Sequence, residues 1–201
     1  MKRRDLLKFS LAATAGGLAA GSANAQQACA TDGTPAQFTP KKAADPSPQE
    51  NDIEKFPKCP YCGMDRKQYH HSRMLIQYSD DLPDGTCSLH CASISLAVNI
   101  DREPKAIWVG DNAPGTEIKP LAEVDKAIFL IGSQIKGVMT RRSKVAYGNE
   151  DAAKAAMAAN GGELGNFDKA LLAAYTDMSQ DASMVRKNRE ERRRRALQQK
   201  G

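Results

Sequence analysis

The sequence predicts an α+β fold made of two small halves, each with a few strands and a helix packed on one face. Two observations predict it. Short segments in which apolar residues alternate, as in strands, are interleaved with segments whose apolar residues recur at helical spacing. The order strand, turn, helix, strand also occurs twice along the chain, although the two stretches are not alike in sequence.

The first 25 residues have the features of an export signal. A charged start with the pair Arg3-Arg4 precedes an apolar run, and the run ends in an A-x-A motif at residues 23–25. The arginine pair resembles a twin-arginine signal, which exports proteins that are already folded. The apolar run is shorter than the ~20 residues that a bilayer span needs. We expect cleavage after Ala25; a basic N-terminal helix that stays on the protein is the alternative.

Residues 26–56 contain proline, alanine and polar residues without apolar periodicity, which indicates a flexible spacer. The first half follows over residues 57–112 and begins with a cysteine-rich segment. Its other predicted elements are a strand over 72–79 with Met74, Ile76 and Tyr78 on one face, a turn over 80–86, a helix over 88–100 and a strand over 105–111.

The second half, residues 113–178, has no cysteine. It repeats the pattern of a helix beside short strands. Its predicted elements are strands over 126–133 and 136–148, a helix over 149–162 with Asn149 as N-cap and a glycine pair as its stop, and a short helix over 167–178.

Charge is distributed unevenly along the chain. It has 29 basic and 24 acidic residues in total, but residues 26–185 have 17 basic and 21 acidic ones. The positive excess lies in the signal and in the basic tail, residues 179–201. A nucleic-acid-binding domain would carry this charge on a folded face, so the pattern excludes that class. The tail can contact an anionic membrane surface or an acidic partner; a solvated helix end without a partner is the alternative.

Four of the five cysteines lie within 33 residues, in two pairs. Cys59 and Cys62 form a CxxC motif whose proline and following glycine favour a tight knuckle. Cys87 and Cys91 are four residues apart at the start of a helix, so they share one face. A knuckle beside the first turn of a helix, a treble-clef-like arrangement, is a frequent way to build a four-sulfur metal site. Small buried cysteines or two structural disulfides are the alternative.

The methionine next to the knuckle bears on the choice of metal. A thioether is a poor ligand for zinc, whereas copper(I) prefers thiolate and thioether. Met64 follows Cys62 by two residues in a polar loop that has no apolar periodicity to bury it. His90 shares the helix with two thiols and is a candidate ligand. His70 and His71 are either ligands or exposed polar residues.

Four motifs in series carry a resemblance to a known family. They are CPYCGM at 59–64, AIWVGD at 106–111, AIFLIGS with GVM at 127–139, and VAYGNEDAAKAAMAANGGELGNFDKAL at 145–171. The chain resembles the nitrous-oxide-reductase accessory proteins, the NosL-type copper chaperones, over about residues 57–178. The first motif alone is a weak signal, but the four in order make the resemblance more specific.

The resemblance implies two ββαβ halves in the bacterial periplasm or on its membrane. It implies one copper(I) ion, delivered to the copper-sulfide cluster of nitrous oxide reductase, an enzyme of denitrification. By motif, the family's Cys-Gly-Met element falls on Cys62 and Met64, and a methionine of the second half corresponds to Met139. Cys29, in the spacer, is expected to be an incidental thiol or one that links molecules.

The leading interpretation is therefore an exported copper(I) chaperone without enzymatic activity. Its partners are a recipient copper enzyme or that enzyme's assembly factors. The candidate ligands are Cys62, Met64 and Met139, with Cys59, Cys87, His90 and Cys91 as additional or transfer ligands.

Two other functions remain open. One is a zinc-stabilised structural domain with the four paired cysteines as ligands, in which both methionines are dispensable. The other is a thiol oxidoreductase that uses the CxxC motif. Thioredoxin-like sites place that motif at a helix N-terminus, and Gly63 breaks any helix start here.

Overall fold

The computed structural model describes residues 42–100 and 102–199. The expected signal, Cys29 and the first part of the expected spacer lie outside these residues. Within them no helix has both the length and the apolar composition to cross a membrane. The elements are α1 (Asp52–Lys55), β1 (Met74–Tyr78), β2 (Pro83–Thr86), α2 (Leu89–Val98), β3 (Pro104–Gly110), β4 (Leu121–Glu123), β5 (Ile128–Ile131), β6 (Lys144–Tyr147), α3 (Glu150–Asn160), β7 (Glu163–Gly165) and α4 (Phe167–Gln198).

The first sheet has four antiparallel strands in the order β2-β1-β3-β4. Met74, Ile76 and Tyr78 of β1 share one face, as the alternating pattern predicts, and they belong to the main core. The opposite face of β1 is buried as well. An interior strand that is covered on both sides needs a second layer, and the polar segment before the cysteines provides it.

Residues 45–56, predicted to belong to the flexible spacer, pack against the first sheet. The side-chain amide of Gln77 donates hydrogen bonds to the backbone carbonyls of Asp45 and Pro46, at 3.1 and 3.3 Å. Phe56 is 5% exposed. The ordered part of the chain therefore begins before residue 57, because strand groups more than 20 residues away hold this segment in place.

Residues 80–86 are predicted to be a turn, but residues 83–86 form strand β2. Its Asp-Gly pair does not make a hairpin turn. A Cβ added at Gly85 would lie 2.7 Å from the Cβ of Phe56 and 3.0 Å from the guanidinium carbon of Arg66. The glycine therefore permits close packing against a segment that is distant in sequence, and local turn chemistry does not reveal this.

The second sheet is antiparallel, in the order β6-β5-β7. The predicted helix boundaries are confirmed at α3. Asn149 caps it by accepting a 2.8 Å hydrogen bond from the N–H of Ala152. Gly161 and Gly162, with φ of 67° and 91°, end it in a conformation that glycine adopts without strain. A small apolar core of Leu130, Val145, Tyr147 and Ala153 lies beneath α3.

The element order ββαβ occurs in both halves. The predicted α+β fold with two small sheets is confirmed, whereas the treble-clef-like detail stays a prediction. The main core joins the two sheets, since Phe129 and Ile131 of β5 pack with Ile76 of β1 and with alanines of α4. The boundary between the halves at residue 112 stays a prediction.

Helix α4 is longer than the helix predicted over 167–178 and includes most of the tail predicted over 179–201. Asp181 is 2% exposed, so contact with the body continues past residue 178. From Arg186 onward nearly every residue is exposed. In this region apolar residues no longer recur at helical spacing, but residues of high helix propensity continue. The helix persists because no proline or glycine interrupts it.

Candidate metal centre

The CxxC motif forms a knuckle. The backbone N–H of Cys59 donates to the carbonyl of Met64, and the N–H of Gly63 donates to the carbonyl of Cys59, both at 2.9 Å. Gly63 has a φ of 76°, a left-handed conformation that a residue with a side chain adopts at a cost. The proline and glycine in the sequence predict this geometry. The knuckle presents the sulfurs of Cys59 and Cys62 to the same cluster.

Helix α2 supplies the second pair of thiols. Ser88 is the N-cap residue, so Cys87 directly precedes the helix and Cys91 lies in its first turn. Both side chains are almost completely buried, at 0% and 1% exposure. The two sulfurs lie 3.8 Å apart, although Cys87 itself is outside the helix and the extended conformation of Ser88 separates it from the first turn.

The four sulfurs of Cys59, Cys62, Cys87 and Cys91 lie within 4.8 Å of one another. The sulfur of Cys87 is 3.4 Å from that of Cys62 and 3.8 Å from that of Cys91. A tetrahedral ion with metal–sulfur bonds of about 2.3 Å separates its sulfurs by about 3.8 Å. All four are free thiols. The cluster is therefore shaped for one soft metal ion, and the two disulfides of the alternative interpretation are not formed.

Two methionines border the thiols. The sulfur of Met64 lies 4.0 Å from the sulfur of Cys87. Met139 packs against the same cluster beside Val138. The sequence predicts a strand over 136–148, but Met139 has a φ of 61°, which is left-handed and incompatible with a strand. A long side chain in this conformation costs about 1–3 kcal/mol, and such strain concentrates at functional sites.

The thiols change one another's acidity. The hydrogen bond from Cys62 holds the pKa of Cys59 far below its usual range. Contact with the sulfur of Cys59 raises the pKa of Cys87 and of Cys91 above theirs. Contact with the sulfur of Cys59 opposes ionisation of Cys62, but contacts with Cys87 and Cys91 outweigh it and lower the pKa of Cys62 too. The knuckle thiols therefore ionise readily, while Cys87 and Cys91 keep their protons until a cation replaces them. Metal binding at this cluster must release protons.

The structure does not bring the histidines into the cluster. In the described residues the group of mutually close ligand atoms contains cysteines alone. Nδ1 of His90 faces Asp181 Oδ2 at 3.6 Å, and burial lowers the pKa of His90. Nδ1 of His70 accepts the backbone N–H of Lys119 at 3.1 Å. His71 is half-buried, with its ring edge-on to the ring of His70.

A buried hydrogen-bond network that the sequence does not predict supports the knuckle. Tyr61, between the two knuckle cysteines, donates a 2.6 Å hydrogen bond to Asp84, and Ser95 of α2 donates one of 2.5 Å to the same oxygen. Burial raises the pKa of Asp84. This carboxylate joins the knuckle to α2, the two elements that hold the thiols. A tyrosine inside a CxxC motif was the only local signal of it.

Arg66 is a second support and is completely buried. Its guanidinium donates to the carbonyls of Phe56, Met74, Thr86 and Asp52 and to the Asp52 carboxylate. The same carboxylate accepts bonds of 2.9 and 3.0 Å from Arg73. The ion pairs fasten the chain on either side of the knuckle to the sheet. No local pattern marks these residues, because charged side chains are normally exposed.

A comparison with protein families identifies the chain. The family model of NosL matches residues 50–172, which include all the candidate ligands. The chain belongs to the NosL family. The resemblance predicted from the four motifs is confirmed.

NosL itself is represented among solved structures. The crystal structure of the copper chaperone NosL from Shewanella denitrificans is similar to this chain, with 20% sequence identity and a TM-score of 0.46. The similarity covers 63% of this chain and 92% of that one. None of the curated proteins matches.

In this NosL-family protein the metal centre has a buried floor and a partly exposed rim. The floor consists of Cys59, Cys87 and Cys91, each at most 2% exposed. The rim consists of Cys62, Met64 and Met139, which are half-buried. The rim is the side from which an ion or a partner's ligands can reach the cluster.

Proposed function

We propose that this protein is an exported, non-catalytic carrier of copper(I) that serves the maturation of a periplasmic copper enzyme such as nitrous oxide reductase. The observation that carries the proposal is the chemistry of the cluster. Four thiols lie within 4.8 Å of one another, and two thioethers border them. Thiolate and thioether ligands select copper(I). Membership of the NosL family, in which the sequence resemblance implies copper delivery, supports the same conclusion.

The rim suits a carrier because it makes the site exchangeable. A thioether binds without losing a proton and adds no negative charge, so it holds the ion less tightly than a thiolate does. Among the sulfur side chains at this cluster, Cys62, Met64 and Met139 are half-buried and can be reached by a partner. A recipient's ligands then replace the rim ligands one at a time while the floor still holds the ion.

Export and a non-catalytic role have separate support. The twin-arginine-like start and the A-x-A motif favour export of the folded protein. Against a thiol oxidoreductase, the CxxC motif lies in a knuckle with Cys59 buried. A redox-active CxxC motif needs an accessible thiolate at a helix N-terminus.

A zinc-stabilised domain is the second candidate, and one observation favours it. The sulfur separations of 3.4 and 3.8 Å fit a tetrahedral four-thiolate ion, which is the arrangement of structural zinc. In that case the metal contributes folding free energy and the thioethers have no role.

One experiment separates the two candidates. The exported protein is purified without oxygen, its metal content is measured by mass spectrometry, and copper(I) is titrated against a chromophoric chelator. We expect about one copper per chain and weaker binding in Met64→Ala. Met157→Ala, which removes a half-buried thioether from the second core, is the matched control and leaves the affinity unchanged. Tightly held zinc with no response to the loss of Met64 would replace the carrier proposal with the zinc-stabilised domain.

The arginines at the end of α4 extend the proposal to a membrane surface. In the described part of the chain, Arg186, Arg189 and Arg193 pair with no carboxylate. At helical spacing they fall on one face. The two glutamates of this region pair instead with Arg194 and Arg195. Such a face suits the phosphate headgroups of an anionic membrane, to which each basic residue contributes about 1 kcal/mol.

Vesicle flotation tests this contact. We expect binding to vesicles that contain phosphatidylglycerol, no binding to pure phosphatidylcholine, and release at high salt. Replacing Arg186, Arg189 and Arg193 with glutamine should abolish binding without changing the copper(I) affinity. Equal binding to both vesicle types would contradict the electrostatic contact.

A further inference from the structure

Asp181 is a buried carboxylate on α4, and it is not one of the candidate metal ligands. It is 2% exposed and lies in the part of α4 that extends beyond residue 178. Buried carboxylates are rare unless they are paired or hydrogen-bonded. The two oxygens of Asp181 face two different segments of the chain, and both segments carry candidate metal ligands.

The first oxygen holds the segment that carries Met139. Oδ1 of Asp181 accepts a 3.1 Å hydrogen bond from the backbone N–H of Arg141, two residues after Met139. The turn is tight, since a Cβ added at Gly137 would lie 2.4 Å from the carbonyl oxygen of Thr140. Met139 itself is in the left-handed conformation, which persists only where the surroundings hold it. The hydrogen bond to Asp181 is one of the contacts that hold it.

The second oxygen faces the helix that carries Cys91. Oδ2 of Asp181 lies 3.6 Å from Nδ1 of His90, too far for a hydrogen bond. Both atoms are buried and have no hydrogen-bond partner in the described structure. His90 directly precedes Cys91 in the first turn of α2. A movement of less than about 1 Å would bring the two atoms within hydrogen-bond distance.

We propose that Asp181 is a positioning residue for the metal centre, an inference that rests on the proposed copper(I) function. It joins the turn that carries Met139, from the second half, to helix α2 of the first half, which carries Cys91 and begins two residues after Cys87. It thereby sets the distance between the thioether and the thiols without touching the ion. In metal sites generally, the loss of such a supporting carboxylate changes metal affinity by about 10–100-fold.

A double-mutant cycle on the full chain tests the proposal. Copper(I) affinity is measured by chelator competition for the wild type, Asp181→Ala, Met139→Ala and the double variant. We expect each single variant to lose about tenfold in affinity. The double variant should lose no more than Met139→Ala does, because Asp181 acts through Met139. Gln180→Ala, an exposed neighbour on the same helix, is the control and leaves the affinity unchanged.

Rescue of the copper(I) affinity by a conservative variant distinguishes a positioning role of Asp181 from a general effect on folding. Asp181→Asn keeps an oxygen for the N–H of Arg141 and turns an amide N–H toward His90, so it should restore the affinity. If Asp181→Ala does not fold, Asp181→Leu, a somewhat larger side chain with the same branching, fills the site without either polar contact. Thermal unfolding of each variant gives the stability separately from the affinity.

The outcomes separate this inference from the proposed function. If the affinity losses of Asp181→Ala and Met139→Ala multiply in the double variant, Asp181 has only a structural role. The same conclusion follows if Asp181→Ala lowers the melting temperature but leaves the copper(I) affinity unchanged. The carrier function would then still stand. A wild-type protein that binds no copper(I) would overturn both proposals.

Discussion

The two ββαβ halves contain the same elements but stabilise their helices differently. Helix α3 of the second half has a capping bond from Asn149 and packs on an apolar core. Helix α2 of the first half begins at Ser88, whose side chain makes no capping bond. It also buries polar side chains, among them His90, Ser93 and Ser95. The second half is held by local signals and apolar packing, whereas the first relies on side-chain chemistry between distant segments.

The two small cores also differ in composition, one being built from large apolar side chains and the other mainly from thiols. In the second half the core contains Leu130, Val145 and Tyr147. Its counterpart is built from three buried thiols of the first half and from Val138 of the second. Thiols are small and bury little apolar surface, so they contribute less hydrophobic free energy than the larger side chains do. The buried ion pairs of Asp52 with Arg66 and Arg73 provide cohesion in their place, and a metal ion held by the thiols would add to it.

The largest effect should come from removing two thiols. Replacing Cys59 and Cys91 with serine removes one ligand from the knuckle and one from α2, so stoichiometric metal binding should be lost. Metal content by mass spectrometry measures it. Cys29→Ser is the matched control, since this cysteine is expected to be an incidental thiol of the spacer, and it should retain a full complement of metal. Retention of metal by the double variant would place the site elsewhere.

The acidity of the thiols predicts the next effect. The pKa values of Cys87 and Cys91 are raised by their sulfur neighbours, so binding a metal at neutral pH displaces about two protons. Affinity should therefore fall as pH falls, by about a hundredfold per pH unit for two protons. Competition titrations at several pH values, with the chelator calibrated at each, measure the slope. A slope near zero would mean that these two thiols are not ligands.

Asp52→Ala should test the ion pairs of the first half. It leaves Arg66 and Arg73 buried without their carboxylate, and such a loss costs about 3–5 kcal/mol. Urea unfolding of the metal-free protein measures it. Glu54→Ala on the same short helix changes an exposed residue and should be nearly neutral. A small effect for Asp52→Ala would show that the first half does not depend on these pairs.

The smallest effect compares the two helix caps directly. Asn149→Ala removes the capping bond of α3 and should lower the free energy of unfolding by about 1 kcal/mol. Ser88→Ala removes no capping bond from α2 and should have a much smaller effect. The same urea experiment measures both. Equal losses of unfolding free energy in the two variants would show that the two helices do not differ in how they are capped.

Several features of the site could be predicted because their signals are local. The CxxC spacing with its glycine predicted the knuckle. The spacing of Cys87 and Cys91 predicted that their thiols lie close together, although Cys87 precedes the helix and does not share a helix face with Cys91. The membership in the NosL family followed from motifs in series. What was missed has no local signal. Asp52 and Asp84 each lie among other acidic residues in a polar segment, and their burial depends on partners that lie far away in the sequence.

Patterns along the chain were enough to predict the α+β class, the strand β1, the capped helix α3 and the pairing of thiols in two motifs. Each depends on residues within a few positions of one another, where backbone geometry links spacing directly to structure. Tertiary structure alone decided that residues 83–86 form a strand, that residues 45–56 cover the sheet, and that Asp181 faces His90. These features depend on burial and on charge pairing between distant segments, and only the folded chain brings those segments together.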